Sequence, residues 1–145
     1  MIGKIDHVGI AVTSIEEARH FWEALGLHVE EIEEVPEEGV RVAMIPCGES
    51  RIELLEPTRE DSAVATFLER RGPGVHHVCL GSSDVAADDA ALRAAGLRLL
   101  RPEPTVGAGG AKVQFIHPKS AGGVLVELSQ PPPGAPEAAG EEPAP

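Results

Sequence analysis

Alternating apolar and polar residues recur along this chain, interrupted by stretches with helical spacing. The run Asp6-His7-Val8-Gly9-Ile10 predicts a strand. A helix is predicted to follow from Ser14, because Ser14 and Glu17 form a capping-box pattern. Gly26 is predicted to end that helix, since a residue without a β-carbon adopts positive φ there. The apolar stripe of the helix is predicted to be core: Phe21, Trp22 and Leu25.

The same pattern occurs a second time, so the chain contains an internal repeat. His76-His77-Val78-Cys79-Leu80 opens a similar strand, and a second predicted helix ends at Gly96. The offset from His7 to His77 is 70 residues (77 minus 7), and Gly26 and Gly96 share it. Strand-like stretches follow each helix, at 27–32, 40–45 and 51–55 and again at 97–100, 112–117 and 124–128.

Each half therefore has the order β-α-β-β-β. We predict a first module over 1–60, a linker with a short helix over 61–74 and a second module over 75–130. The stretch 131–145 is rich in Pro, Ala and Glu and has no large apolar residue, so a disordered tail is predicted.

Composition bears on the number of domains, the class of partner and the cellular compartment. The 145 residues are 42% hydrophobic, enough for one compact domain, and the net charge of −12 disfavours nucleic acid as a partner. Two cysteines, Cys47 and Cys79, suggest a reducing compartment rather than a disulfide framework. No apolar run approaches a membrane span, and the chain enters a strand pattern at once, so a cytoplasmic protein is predicted.

Strand periodicity places one His and one Glu of each half on a face that the helices do not cover. His7 lies opposite Val8 and Ile10, and Glu53 lies opposite its apolar neighbours on the last strand of the first module. The second module repeats this arrangement. The residues so placed are His7, Glu53, His77 and Glu127.

A buried ionised carboxylate is costly unless it is paired or bound to a cation. Each of these residues alone would more often be an ordinary polar residue, but the repeated His/Glu pairing favours a metal site. Two imidazoles and two carboxylates suit Zn, Co, Ni, Mn or Fe better than Ca or Cu(I). An octahedral ion with four protein ligands keeps two sites for substrate oxygens. His76 lies on the opposite face, and the internal alignment selects His77 as the ligand.

From residue 5 to residue 130 the chain resembles the vicinal oxygen chelate superfamily, and within it the methylmalonyl-CoA epimerases. The opening strand motif is common to the superfamily, whereas the stretch from His117-Pro118-Lys119 to Glu127-Leu128 is closer to the epimerases. The segments that carry the resemblance are Ile5 to Val12, Ile52 to Pro57, Asp61-Ser62 with the linker to Val78, and His117 to Leu128.

The resemblance implies an α+β fold in which two βαβββ modules form an eight-stranded, incompletely closed barrel-like mixed sheet. It implies interconversion of (2R)- and (2S)-methylmalonyl-CoA and a homodimer. It also implies a divalent ion, Co²⁺ first and Zn²⁺, Ni²⁺ or Mn²⁺ as alternatives, on the four residues already singled out. Some members carry Gln at the position of Glu53. Some carry a Glu, proposed as a catalytic base, where this chain has Val42.

Epimerisation requires removal of the hydrogen between a thioester and a carboxylate and return of a proton to the opposite face. Because Val42 cannot take a proton, we predict that Glu127 and Glu53 are the two bases. Lys119 and Ser120, in the turn before the last strand, are predicted to contact the substrate carboxylate or the CoA phosphates.

Three alternative functions are weighed. A glyoxalase I-type lactoylglutathione lyase has a similar His/Glu/His/Glu set, and the segment from His117 to Glu127 argues against it. A metal-free small-molecule binding module would lack the ligands. An extradiol dioxygenase uses two His and one carboxylate, which would leave Glu53 without a role.

Overall fold

Each half of the chain forms a strand, a helix and three further strands in the computed structural model, which describes residues 1–135. The first half contains β1 (Ile2–Ala11), α1 (Ile15–Ala24), β2 (Glu31–Val35), β3 (Val40–Cys47) and β4 (Ser50–Pro57). The linker carries α2 (Ala63–Arg71). The second half contains β5 (Gly74–Ser82), α3 (Val85–Ala94), β6 (Thr105–Val106), β7 (Lys112–Ile116) and β8 (Val126–Gln130). Short 3₁₀ turns lie at Ala108–Gly110 and Pro118–Ser120.

The eight strands form one mixed sheet in the order β2-β3-β4-β1-β5-β8-β7-β6. Within each half the first and last strands pair in parallel, β1 with β4 and β5 with β8. The halves join where β1 and β5 pair antiparallel, a register that sets Gly9 opposite His77 and His7 opposite Cys79. The sheet is a curled half-barrel with three helices, which confirms the predicted fold class. The last part of the predicted tail, 136–145, lies outside the described residues.

The helix boundaries follow the expected local chemistry. Ser14 and Ser62 cap α1 and α2 by accepting hydrogen bonds from the backbone N–H groups of Glu17 and Ala65. Gly26, which follows the C-cap residue Leu25 of α1, has φ of 90°, as predicted for a residue that ends a helix. Within residues 1–135, no helix is long and apolar enough to span a membrane.

The prediction that the apolar stripe of α1 is core was wrong for two of its three residues. Phe21 and Leu25 are each 61% exposed, whereas Trp22 is partly buried against the sheet. The reason is that α1 lies on the sheet through a narrow face, on which Ile15 and Ala18 accompany Trp22.

Three strands lie later in the chain than the sequence suggested, and the smallest shift is that of β8, predicted at 124–128 and found at Val126–Gln130. β2 was predicted at 27–32 and is found at Glu31–Val35, because Leu27 and Val29 pack under α1 without pairing in the sheet. The stretch 97–100, predicted as a strand, forms a single bridge between Leu99 and Ile116. The paired residues of β6 come only after Pro102 and Pro104, which have no N–H to donate to a ladder.

The two faces of the sheet bury different groups. One face packs under α1 and α3, with core residues such as Ala43, Leu54 and Val85. Their neighbours on β3 and β4, Val42 and Leu55, point to the other face and pack with α2. Alternation along each strand therefore leaves one face of the half-barrel available for a cavity between the halves.

Candidate active site and metal centre

A cavity of about 330 Å³ lies on the face of the sheet away from α1 and α3, and both halves line it. Its walls include the four residues selected from the sequence. Each is 7% exposed or less, and each comes from a different strand, β1, β4, β5 or β8. They are His7, Glu53, His77 and Glu127.

Three of these side chains meet at the middle of the β1–β5 pair. The Nε2 atoms of His7 and His77 are 3.0 Å apart. One carboxylate oxygen of Glu127 lies 3.5 Å from His7 Nε2, and the other lies 3.7 Å from His77 Nε2. The ligand atoms of this group, one from each residue, all lie within 4.8 Å of one another.

Glu53 approaches His7 from the other side of the ring. Its Oε2 lies 3.0 Å from His7 Nδ1, and the same nitrogen contacts Asp6 Oδ2 at 2.7 Å. Arg51 Nη2 donates to both carboxylates at 2.9 Å. Because two carboxylates surround Nδ1, this nitrogen carries a hydrogen, and Nε2 is left to face His77 and Glu127.

The charges of the two imidazoles differ because their neighbours differ. Burial alone would lower the pKa of His7, but hydrogen bonds to Asp6 and Glu53 outweigh burial and raise it to about 10. Burial, with the positive charge of His7 nearby, lowers the pKa of His77 well below its usual value. His77 is therefore neutral and presents a nitrogen lone pair to the cavity.

The two carboxylates also differ. Burial would raise the pKa of Glu53, but hydrogen bonds and charge from His7 and Arg51 lower it below its usual value. Burial raises the pKa of Glu127 to about 7, although the charge of His7 opposes this shift. The site thus holds one carboxylate that is firmly ionised and one that can exchange a proton near neutral pH.

The group formed by His7, His77 and Glu127 can hold a divalent metal ion once His7, whose pKa is raised, releases the proton on its Nε2. Metal–nitrogen bonds of about 2.1 Å at right angles place two donors about 3.0 Å apart, as in octahedral coordination. The two Nε2 atoms show that separation, 3.0 Å. The three side chains are buried, and their imidazole and carboxylate donors suit ions such as Co²⁺ or Zn²⁺.

Gly9 makes room for His77. A β-carbon added at Gly9 would lie 2.2 Å from Cε1 of the His77 ring, far inside van der Waals contact. The register explains this, because Gly9 stands directly opposite His77 across the β1–β5 pair. Any side chain at position 9 would displace the ring.

The remaining cavity wall contains further acidic and basic groups. Val42 is 2% exposed and lines the cavity, where it presents an apolar surface that cannot exchange a proton. Glu38, from the turn between β2 and β3, accepts a hydrogen bond of 3.1 Å from Arg101 of the second half. The Arg101 guanidinium in turn lies 5.0 Å from the centre of the Phe115 ring.

The structure places Lys119 and Ser120 apart from the other predicted site residues. Both lie in the 3₁₀ turn before β8, and neither is among the residues of 1–135 that line the cavity. The Ser120 hydroxyl accepts a hydrogen bond of 2.9 Å from the backbone N–H of Arg98, which occupies it in the turn. Their predicted contact with substrate stays a prediction.

Asp6 and Arg51, which are not among the predicted site residues, hold the His7–Glu53 pair in place. A signal for each was present. Asp6 adjoins His7, and Arg51 precedes Glu53 by two residues, so a strand puts Arg51 and Glu53 on one face. Neighbours of this kind orient the ligands of a metal ion without binding the ion themselves.

Comparison with known proteins identifies the relatives of this site. Residues 6–115 match the Glyoxalase/Bleomycin resistance protein/Dioxygenase superfamily. An ethylmalonyl-CoA/methylmalonyl-CoA epimerase from Cereibacter sphaeroides is 42% identical over 133 residues, which cover 90% of this chain and 99% of that protein. The chain belongs to the methylmalonyl-CoA epimerase family.

Other members of the methylmalonyl-CoA epimerase family agree in sequence and in structure. The mouse mitochondrial epimerase is 40% identical over 131 residues, covering 89% of this chain and 74% of the mouse protein. A methylmalonyl-CoA epimerase solved with methylmalonyl-CoA and NH4+ superposes with a TM-score of 0.90 at 41% identity, covering 95% of this chain and 99% of that one.

Proposed function

We infer that this chain interconverts (2R)- and (2S)-methylmalonyl-CoA. The observation that carries the inference is the convergence of His7, His77 and Glu127 in a cavity built by both halves of an epimerase-family chain. A relative named for both ethylmalonyl-CoA and methylmalonyl-CoA suggests that the homologous ethyl substrate is also accepted.

We propose that His7, Glu53, His77 and Glu127 hold the divalent ion, with Co²⁺ first and Zn²⁺, Ni²⁺ or Mn²⁺ as alternatives. His7, His77 and Glu127 already converge, whereas the Glu53 carboxylate contacts the Nδ1 side of the His7 ring and has to turn toward the Nε2 side to complete the set. Such an ion, when bound, stabilises negative charge that develops on the thioester oxygen. Asp6 and Arg51 support this set, because they fix the His7 ring through its Nδ1 side and hold Glu53 beside it.

We propose that Glu127 and Glu53 serve as the two bases. One carboxylate removes the proton from the carbon between the thioester and the carboxylate, and the other carboxylic acid returns a proton to the opposite face. The two residues come from different halves, and the pKa of Glu127, raised to about 7 by burial, suits proton transfer near neutral pH. Val42 leaves the adjacent wall without a proton acceptor.

Proton NMR of methylmalonyl-CoA in deuterated water tests the activity. Purified protein with Co²⁺ should replace the hydrogen between the two carbonyl groups by deuterium in both epimers, and a chelator should stop the exchange. If the metal-loaded protein catalyses no exchange, the proposed function is wrong. Turnover of methylglyoxal with glutathione would instead point to a lactoylglutathione lyase. Metal analysis that finds no bound ion, together with no turnover, would point to a binding module.

Two further predictions accompany the function. We propose a homodimer, which light scattering on a size-exclusion column would show as twice the chain mass of 15.2 kDa.

We also propose that the protein works in the cytoplasm, although its mouse relative is a mitochondrial protein.

A further inference from the structure

A second groove lies beside the cavity, between α2, the first residues of β5 and the segment that precedes β8. Two consecutive arginines, Arg70 and Arg71, form one side of it, and the exposed apolar residues Val75 and Val124 form part of the other. We call it the Arg70–Arg71 groove.

The charge of this groove is opposite to that of the protein. The chain carries 24 Asp and Glu against 12 Lys and Arg, yet among the described residues no Asp or Glu lines the groove. Arg70 and Arg71 make no ion pair with a carboxylate of residues 1–135, whereas Arg51 and Arg101 are held by acidic partners. Two arginines without acidic partners are thus available to an anion.

One of the two arginines is already oriented. The Arg71 guanidinium carbon lies 5.7 Å from the centre of the Phe67 ring, one turn earlier on α2. This contact holds a side chain that would otherwise be free, and it reduces the conformational entropy that Arg71 loses when it binds a ligand.

The groove is contiguous with the cavity. Four residues line both spaces, so a molecule that passes between them remains in contact with protein. One of the four, His77, belongs to the candidate metal group, so the junction lies beside that group. The four are Ala63, His76, His77 and Leu125.

A different part of the cavity wall is acidic and suits phosphates poorly. It carries Glu37, Glu38 and Asp61, and its two arginines are already paired. Arg59 Nε contacts Asp61 at 3.1 Å, and Arg101 contacts Glu38 at the same distance. An anionic group leaving the cavity on that side would meet carboxylates and occupied guanidinium groups.

We propose that the Arg70–Arg71 groove binds the phosphate groups of the CoA nucleotide, while the acyl thioester lies in the cavity. Val75 and Val124 then contact the apolar part of the arm that links the two. This inference rests on the proposed function, since it names where one part of that substrate binds. It accounts for how a chain of charge −12 captures a polyanionic substrate.

The test compares two substrates on one variant. Methylmalonyl-CoA carries the nucleotide, and methylmalonyl-pantetheine lacks it. In the double variant Arg70→Gln/Arg71→Gln, KM for the CoA substrate should rise about tenfold or more, because charge-assisted phosphate contacts are lost. Its kcat should be unchanged, and KM for the pantetheine substrate should stay at the wild-type value.

A matched control removes two positive charges elsewhere. Lys4 pairs with Gly81 and Lys112 pairs with Gln130, so both lie at the ends of their ladders remote from the groove. The variant Lys4→Gln/Lys112→Gln should leave both KM values within about twofold of wild type, as expected for remote, screened surface charges. Arg70→Lys/Arg71→Lys should restore most of the binding, since the charges return.

Several outcomes would overturn the inference. The inference is wrong if the Arg70→Gln/Arg71→Gln variant and wild type have equal KM values for methylmalonyl-CoA. It is also wrong if that KM rises in Arg59→Gln and not in the double variant. Turnover of methylmalonyl-pantetheine at the wild-type rate shows that the variant is folded. If the double variant does not fold, the single variants Arg70→Gln and Arg71→Gln carry the same comparison.

Calorimetric titration with CoA alone separates this inference from the proposed function. Wild type should bind CoA more tightly than 3′-dephospho-CoA, and the Arg70→Gln/Arg71→Gln variant should lose most of that binding, whether or not epimerisation occurs. Binding of CoA that the variant retains in full contradicts the groove. Absence of turnover in a protein that binds CoA through these arginines contradicts the epimerase activity alone.

Discussion

The two halves of this protein repeat one backbone pattern but surround their carboxylates with different residues. In the first half, Asp6 and Arg51 contact the His7–Glu53 pair. In the second half, His76 lies at the position that matches Asp6, 70 residues further on (76 minus 6). Leu125 lies at the position that matches Arg51, 74 residues further on (125 minus 51).

This difference sets the chemistry of the two carboxylates. Glu53 has a cation beside it and a lowered pKa, whereas Glu127 is buried next to an apolar residue and its pKa rises to about 7. The duplicated strands fix where the carboxylates lie, and the neighbours that are not duplicated decide their protonation. A symmetric scaffold thus carries an asymmetric site.

The largest effect is expected from removing one carboxylate at a time. Glu127→Gln and Glu53→Gln should each lower epimerisation by about 10²–10⁴-fold, the usual contribution of a general base. Each variant should still exchange deuterium into one epimer, the one whose hydrogen faces the remaining base. NMR of the separate epimers in deuterated water measures this. If Glu127→Gln still exchanges both epimers at the wild-type rate, Glu127 is not a base.

A second large effect is expected at position 9, where the side chains of the two halves differ in size. The residue 70 positions after Gly9 is Cys79, so only the first half leaves space for the opposing ring. Gly9→Ala should displace His77, with bound metal and turnover both falling by more than about tenfold. Gly3→Ala, on the same strand with no atom within 4 Å of the new β-carbon, is the control. Normal metal content in Gly9→Ala would contradict the role given to this contact.

An intermediate effect is expected from making the first half resemble the second. Arg51→Leu copies Leu125 and removes the cation that stabilises ionised Glu53, so the pKa of Glu53 should rise. Activity should therefore fall more at low pH than at high pH, and the acid limb of the kcat/KM profile should move to higher pH. Arg41→Leu breaks an ion pair with Glu56 elsewhere in the sheet and should leave the profile unchanged. A profile that does not move in Arg51→Leu would mean that Arg51 does not control the ionisation of Glu53.

The smallest effect concerns stability and compares α1 with α3. Asp89 on α3 accepts hydrogen bonds from Arg93 and from the fully buried Gln114, whereas the Arg19–Glu23 pair on α1 lies near the surface. Asp89→Ala should lower the free energy of unfolding by about 1–3 kcal/mol, because Gln114 loses a buried partner. Arg19→Ala should change it little. Urea denaturation at pH 7 measures both, and equal effects would contradict the comparison.

The same carboxylate predicts a pH dependence. The hydrogen bond from Arg93 holds the pKa of Asp89 below its usual value of 3.8. A carboxyl group with a lowered pKa stabilises the fold above its unfolded pKa, and this stabilisation is lost as pH falls through the folded value. The stability difference between wild type and Asp89→Ala should therefore be constant from about pH 5 to 7 and should shrink below about pH 4.

How much the sequence reveals depends on whether a feature is local. The capping pattern at Ser14, the helix end at Gly26 and the His-to-His offset are local or repeated signals, and the fold class drawn from them and from the family resemblance is confirmed. The strand predicted at 97–100 was wrong, because pairing depends on a partner strand and on prolines further along. Phe21 was placed in the core because helical spacing does not reveal how wide a face the sheet covers.

By itself, the sequence determined the duplicated β-α-β-β-β order and the faces on which the histidines and glutamates lie, because strand alternation has a period of two. Only the tertiary structure decided that His7 meets His77 through Nε2 while Glu53 meets Nδ1. It alone joined Glu38 to Arg101, 63 residues apart, and set the Arg70–Arg71 groove against the cavity. Such contacts depend on how a curled sheet brings distant strands and turns together, and no local pattern encodes that curvature.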